Sequence, residues 1–221
     1  MKDIPSSPGA RKIRAWVAEG EHETQDFKLT VSDPRKIARS ISAFANHAGG
    51  RLLIGVKDNG VIAGVRNEED VFVVEQAAGR YCAPPQDVEF HAYTVDTRIT
   101  VIVASVAPAT KRPVEVLEAD GSRVAFVRVA DENIHAHPLM VRGWKRRESA
   151  VPSAFTLGPD ESRILDLLAK APAAGIDEAD IAIALHLSRA RVDFLLETLA
   201  SLDLLSFTFD GSRFHLAPAA Q

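Results

Sequence analysis

The stretch Ala43-Phe44-Ala45-Asn46-His47-Ala48-Gly49-Gly50-Arg51-Leu52-Leu53-Ile54-Gly55-Val56-Lys57-Asp58-Asn59-Gly60 changes secondary-structure grammar twice. Up to Asn46 the apolar residues recur at helical spacing, with Ile37, Ile41, Phe44 and Ala45 on one face and Arg35, Lys36 and Arg39 outside. Ala48-Gly49-Gly50 ends this helix, and residues 51–56 form a short apolar strand. Lys57-Asp58-Asn59-Gly60 is a hairpin turn of the Asn-Gly kind that returns the chain through residues 61–65. A phosphate-cradling loop needs glycines that open a helix. Here the glycines follow one, so the pair reads as a helix cap with close backbone packing.

Working toward the N-terminus, Asp33-Pro34 supplies an N-cap and a proline at the first helical position. Residues 25–31 alternate, with Phe27, Leu29 and Val31 against Asp26, Lys28 and Thr30, the pattern of a half-buried strand. Residues 10–18 have helical composition with Ile13, Trp16 and Val17 inward, and Gly20 stops them. Residues 1–8 read as a loose leader.

Toward the C-terminus, residues 68–81 read as a helix with Val71, Val74 and Ala78 inward. Segments near 88–95, 98–106, 113–118 and 123–129 are rich in Val and Ile and read as strands. Residues 138–147 read as a final helix contributing Leu139, Met140, Val141 and Trp144. Val151-Pro152-Ser153 and Gly158-Pro159 bracket a linker. Beyond it come three short helices, two of them capped by Asp177 and Ser188, and two strands around Asp210-Gly211. That is the winged-helix order. The expected architecture is α/β (α+β): a leader and helix over 1–20, a mixed sheet with flanking helices over 21–150, and a small winged helix-turn-helix domain over 158–218.

The chain has 221 residues, 46% hydrophobic and 25% charged, the mix of an ordinary globular protein. Its longest nearly apolar run, residues 99–109, is too short for a bilayer span of about 20 residues. The N-terminal residues lack the apolar core of a secretory signal. Cys82 is the only cysteine, which excludes an internal disulfide and suits a reducing cytoplasm. The expectation is a cytoplasmic protein without membrane attachment. The net charge of −4 argues against coating nucleic acid by bulk charge, but it is unevenly spread. Residues 1–155 hold 21 Lys/Arg and 20 Asp/Glu, whereas residues 156–221 hold 5 and 10. Attraction to phosphates must come from local patches in the first part.

The densest such patch is Arg142-Gly143-Trp144-Lys145-Arg146-Arg147, where cations beside an aromatic suit phosphate contact with stacking. The plainer reading is a solvated helix end, since cations favour the C-terminal dipole. Arg35, Lys36 and Arg39 form a smaller patch. Lys28 shares a strand face with Asp26, and a surface ion pair accounts for both as simply. In a winged helix, the helix opening at Ser188 enters the major groove led by Arg189 and Arg191, with Arg213 near a phosphate. Against that stand the acidic balance of the tail and a role in pairing subunits. His135-Ala136-His137 lacks a third ligand nearby and reads as surface or capping histidines.

Taken together, Glu21-His22-Glu23-Thr24-Gln25-Asp26-Phe27-Lys28, the Ala-Phe-Ala-Asn-to-Asn-Gly stretch, and Phe126-Val127-Arg128-Val129 with Asn133 and Ala136 resemble the Schlafen/AlbA-type DNA-binding or ATP-binding domain over about residues 20–136. The resemblance implies a nucleic-acid partner, DNA ahead of RNA, with Arg128 on the family's Arg-bearing strand. In ribonuclease members an acidic cluster is catalytic; position by position it maps onto Glu21, Asp26 and Asp58, with Mg or Mn as the metal. This chain carries Asp26 where the family pattern has Glu, one methylene shorter. The sequence therefore leads first to a DNA-binding, regulator-like protein without a cofactor, whose acidic tail pairs it as a homodimer. The alternatives are a metal-dependent ribonuclease and a non-catalytic ATP-binding module.

Overall fold

A computed structural model describes residues 8–66, 69–149, 155–171 and 175–219. The chain divides into two compact units, one comprising residues up to Thr110 with Val114–His135, the other Lys111–Pro113 with Ala136 onward.

In the first unit, α1 (Pro8–Glu19), β1 (Gln25–Lys28), α2 (Pro34–Asn46) and β2 (Gly50–Ile54) follow the order that the sequence predicts. The Asp33 carboxylate caps α2 by accepting from the Arg35 and Lys36 amides. Then come α3 (Glu69–Gln76), continued by a π-helical turn over Ala77–Tyr81, and β3 (Cys82–Ala83), β4 (Val88–Asp96), β5 (Ile99–Val106), β6 (Glu115–Leu117), β7 (Arg123–Val129) and β8 (Glu132–His135). One mixed sheet runs β1-β2-β5-β4, parallel only between β1 and β2. A second sheet, β3-β6-β7-β8, is antiparallel throughout.

Alternation along a strand sends successive side chains to opposite faces. Leu52, Ile54, Ile102, Ala104 and Val106 face α2, which also packs Phe44 and Ala45 toward Val116 and Phe126 of the second sheet. Phe27, Leu53, Val101 and Val103 face the other way, onto Ala10 and Ile13 of α1. Helix α2 thus lies between two sheets and is buried on nearly every side, more deeply than its amphipathic pattern implies. The glycine pair has the packing role that the sequence suggests. Gly49 has φ +78°, and a Cβ there would sit 2.8 Å from the Val106 carbonyl oxygen; a Cβ on Gly50 would collide with the Phe44 ring.

Two local expectations change. The turn at Lys57–Gly60 forms, with the Gly60 amide on the Lys57 carbonyl. Its return strand shrinks to the single bridge Val56↔Ile62, because the Val65 amide is drawn to the Thr100 carbonyl of β5. The helix expected over 68–81 is described from Glu69 onward and is not uniform, since its last turn widens to π geometry.

In the second unit, α4 (Pro138–Ser149), α5 (Pro159–Ala169), α6 (Glu178–Leu185) and α7 (Arg189–Ser201) precede the antiparallel hairpin of β9 (Leu205–Phe209) and β10 (Phe214–Pro218). Asp177 and Ser188 cap α6 and α7 through their side-chain oxygens, as their positions predict. The core joins Leu139 of α4 to Ile164, Ile181, Leu196, Leu199 and Leu216. Helix α4 therefore belongs to this unit, and the division falls after His135 rather than near residue 150. Gly143 makes that possible: a Cβ there would lie 2.7 Å from the Ala200 Cβ, so only glycine lets α4 approach α7 so closely. The expected leader over residues 1–8, apart from Pro8, and Val151-Pro152-Ser153 of the expected linker lie outside the described residues. Among the described residues no helix is long and apolar enough to cross a membrane.

Candidate functional site

Strand β1 turns Asp26 and Lys28 toward α2, on the face opposite Phe27. Asp26 is buried at 3% exposure and is heavily engaged. Lys28 Nζ lies 2.9 Å from its carboxylate, Ser40 Oγ donates at 3.2 Å, and Arg128 Nη2 stands 3.4 Å away. Glu21, in the turn after α1, accepts from the Phe27 amide at 2.8 Å and shares a hydrogen bond with Asp26. Burial first, and that carboxyl–carboxylate bond second, push Glu21 up to about 7. Burial works against ionisation of Asp26 too, but the bond from Glu21 together with Lys28 and Arg128 outweighs it and holds Asp26 below its ordinary value.

The pairing thus disfavours ionising both carboxyls at once, and of the two Glu21 is the one held toward its protonated form. A raised carboxyl favours the protonated form when folded. Its contribution to stability is complete below the ordinary 4.5 and is lost as pH rises through about 7. Asp26 contributes above its ordinary 3.8 and loses that contribution on further acidification. The melting temperature is expected to fall by a few degrees between about pH 5 and pH 8. Glu21→Gln, whose amide donates to Asp26 at every pH, should flatten that slope in a thermal-melt series; an equally steep variant would assign the slope to other groups.

Glu21 and Asp26 come together; Asp58 does not join them in a donor cluster. It sits exposed in the Lys57–Gly60 turn, and among the described residues no group of three or more His, Cys, Asp or Glu is gathered as for a metal ion. A divalent cation needs several ionised oxygens turned to one point. Here the Asp26 oxygens are occupied by Lys28, Ser40 and Arg128 of the chain itself, and among the described residues no third donor stands with Glu21 and Asp26, so the residues gathered here do not fit Mg or Mn. His135 and His137 do not form a metal pair either, since the His135 ring meets Phe126 edge-on and His137 packs on Phe207 and Phe214.

Most of the cations that the sequence singles out meet acids of their own chain. Lys28 and Arg128 are spent on Asp26, and Arg128 is itself 3% exposed. Arg39 makes a bidentate pair with Glu118 at 2.8 and 2.7 Å. Arg35 lies over the Tyr81 ring at 4.8 Å. Along α4, Arg142 and Arg146 each stand 3.4 Å from Glu197, and Arg147 reaches Asp203 at 2.6 Å and the Ser201 carbonyl at 2.7 Å. Lys145 is exposed on the same helix. The densest basic stretch therefore fastens α4 along α7, and Trp144 is buried in that packing. Arg191 pairs with Asp160 at 3.1 Å, while Arg189 is exposed at the start of α7.

Sequence reasoning passed over Arg11, Lys12 and Arg14 of α1, which are exposed beside the half-buried Trp16. Arg11 and Arg14 make no ion pair with another described residue. The signal was present, because Arg11-Lys12-Ile13-Arg14-Ala15-Trp16 interleaves cations with an aromatic just as residues 142–147 do.

The family model described as Schlafen, AlbA_2 matches residues 21–137. Its end coincides with the division between the two units. Among solved structures, the DIP2311 protein from Corynebacterium diphtheriae is similar at 19% identity and a TM-score of 0.45; the alignment covers 94% of this chain and 37% of that one, so this chain spans little more than a third of that protein's length. No functionally curated protein matches the sequence. The family match covers more than half of the chain and takes in β1, α2, the glycine pair and β2 as well as the Glu21–Asp26 pair, and on that ground the chain belongs to the Schlafen AlbA_2 family.

Proposed function

We propose that the chain is a nucleic-acid-binding protein of the regulator type, with DNA as its first partner. Family membership supports a nucleic-acid-related function. The observation that carries the reading is the contrast among its cations: the arginines of α4 and the cations around Asp26 are paired with acids of the chain, whereas Arg11, Lys12 and Arg14 are displayed on α1. Phosphate contacts by Lys and Arg supply most non-specific affinity and make it salt-dependent. Binding then rests on the AlbA-type unit. The order of α5, α6, α7 and the β9–β10 hairpin supports a winged-helix reading of the second unit, which offers Arg189 but tethers Arg191. Among the described residues the acidic pair has no third carboxylate gathered with it, so binding is preferred here to cleavage.

Fluorescence anisotropy on duplex DNA and duplex RNA across a salt series tests this. Binding is expected to weaken steeply with salt. Arg11→Glu/Arg14→Glu should reduce the log–log salt slope by about 2 and the affinity by roughly 10-fold or more. Binding that ignores salt, or that the double charge reversal leaves unchanged, removes the reading.

A further inference from the structure

On the face of the first sheet that α1 covers only in part, a cleft of about 510 Å³ opens. It lies on the opposite side of the sheet from Asp26. Its floor follows from strand alternation: His91 and Tyr93 of β4 project there with Ser105 of β5 and Arg51 of β2, while Lys12 and Trp16, one helical turn apart on α1, form the wall. The volume is that of a small-ligand site.

The rings and charges are organised. His91 and Tyr93 stand 6.3 Å apart with planes only 31° from parallel, and Trp16 meets Tyr93 edge-on at 6.2 Å. The Arg51 guanidinium lies 4.2 Å from the centre of the Trp16 ring. It is fixed there, donating to Gln25 Oε1 and to a Glu19 carboxylate oxygen at 2.7 Å each. Gln25 in turn donates to the Trp16 carbonyl at 2.6 Å, which ties helix, strand and cation into one frame. Lys12 is the loose part. Its ammonium hovers 4.6 Å from the Trp16 ring and 5.5 Å from the Tyr93 ring, held by one 3.3 Å bond to the Tyr93 hydroxyl, and its side chain is exposed. The charge of Arg51 is met by Glu19, and Glu89, the one acid of the lining, stands 3.8 Å from His91, so Lys12 is the lining cation that faces no carboxylate partner there.

We propose that this cleft is a nucleotide subsite, in which an unstacked base lies against the His91–Tyr93 platform beside Trp16 and its phosphate is met by Lys12. Three aromatic rings beside cations are the arrangement that single strands use, stacking for the base and charge for the backbone. A duplex cannot offer its paired bases to such a platform. The exchange suits Lys12, which leaves two ring faces for a full negative charge. The site deepens the nucleic-acid reading and rests on it: α1 would guide the strand by charge, and the cleft would hold one base.

The chain contains two tryptophans, so Trp144→Phe leaves Trp16 as the sole indole reporter. In that background a short single-stranded oligodeoxyadenylate is expected to quench Trp16 fluorescence saturably. His91→Ala/Tyr93→Leu, which removes the platform and keeps the cations, should weaken strand binding about 10-fold, the loss expected for one stacked base. His91→Ala alone, at an exposed position, provides the same test if the double variant does not fold. Adenosine monophosphate forms a second arm: tighter binding of the strand identifies a strand subsite, and tighter binding of the monophosphate identifies a free-nucleotide subsite. No quenching by either ligand, or quenching that the variants leave intact, overturns the site. Salt-dependent duplex binding in that event keeps the broader function standing, whereas loss of both removes both.

Discussion

Replacement of Asn46 by alanine is expected to destabilise the first unit by about 3–5 kcal/mol, in the range reserved for losses of buried polar networks. Asn46 ends α2 at 3% exposure. Its amide oxygen accepts from the Val114 amide at 2.8 Å, and its amide nitrogen donates to the Val114 and Phe126 carbonyls at 2.9 Å each. Ser42, one turn earlier, donates to the Val114 carbonyl at 2.7 Å and accepts from the Phe126 amide at 3.1 Å. Truncation leaves the Val114 N–H and the Phe126 carbonyl without these partners, and each orphaned buried group costs about 1–3 kcal/mol. Ser42 still serves the Val114 carbonyl, so Ser42→Ala alone should cost less than Asn46→Ala. Asn46→Asp is the sharper probe. It keeps the acceptor for Val114 but turns a carboxylate on two carbonyls, so it should be worse near neutral pH and recover on acidification. Urea midpoints read all three. A shift below about 1 kcal/mol for Asn46→Ala would show that water replaces the side chain and that the network is not a fastening.

The same Asn46 illustrates what a sequence can disclose. The helix before it, the cap at Asp33 and the strand after the glycines follow from spacing and from turn chemistry, and each involves residues within one turn or one strand. Caps at Asp177 and Ser188 were legible on the same basis. The partners of Asn46, however, lie at residues 114 and 126, and nothing local announces them. The Arg142–Arg147 stretch failed to disclose its role for that reason: its acids, Glu197 and Asp203, arrive only when α7 folds back along α4. Arg11 to Trp16 carries a nearly identical composition, yet its cations stay exposed because the neighbouring sheet residues offer Trp16, and not Arg11 or Arg14, a place to pack. The division between the units was misplaced by an allied effect. The Pro and Gly residues at 151–159 give a stronger local signal than Ala136-His137-Pro138, but the destination of Leu139 decides which core claims α4. For the acidic trio, the chain order put Asp58 after the strand and gave no measure of where the exposed turn would lead.

Arg128→Met is expected to cost about 3–5 kcal/mol of stability, the usual penalty for deleting one member of a buried ion pair. Its guanidinium donates to the Asn133 side-chain oxygen at 3.0 Å and to the Gln25 and His22 carbonyls at 3.3 and 3.4 Å, beside Asp26 at 3.4 Å. Arg128 belongs to β7 of the second sheet, and Asp26 and Gln25 belong to β1 of the first. The residue therefore fastens the two sheets from one side of α2, whereas Asn46 fastens the end of the helix to the second sheet and the segment that leads into it. Removing it leaves Asp26 ionised with Lys28 as its remaining cation, at 2.9 Å, so Asp26→Asn in the same chain should restore part of the loss. The double-mutant cycle separates this structural role from the phosphate-gripping role that the position in the family pattern suggested. A guanidinium with 1% of its side-chain surface exposed has no path to a phosphate in the folded unit. Stability should fall in Arg128→Met while duplex affinity per folded molecule, measured well below the melting temperature, stays within about twofold of wild type. Loss of affinity with unchanged stability would reverse the assignment and would mean that β7 opens toward the nucleic acid. Arg11→Glu/Arg14→Glu should behave in the opposite way, losing affinity and keeping stability, because exposed substitutions away from packed features usually change stability by no more than about 0.5 kcal/mol. The two outcomes together decide whether this domain meets polyanions with its buried arginine or with the cations it displays on α1.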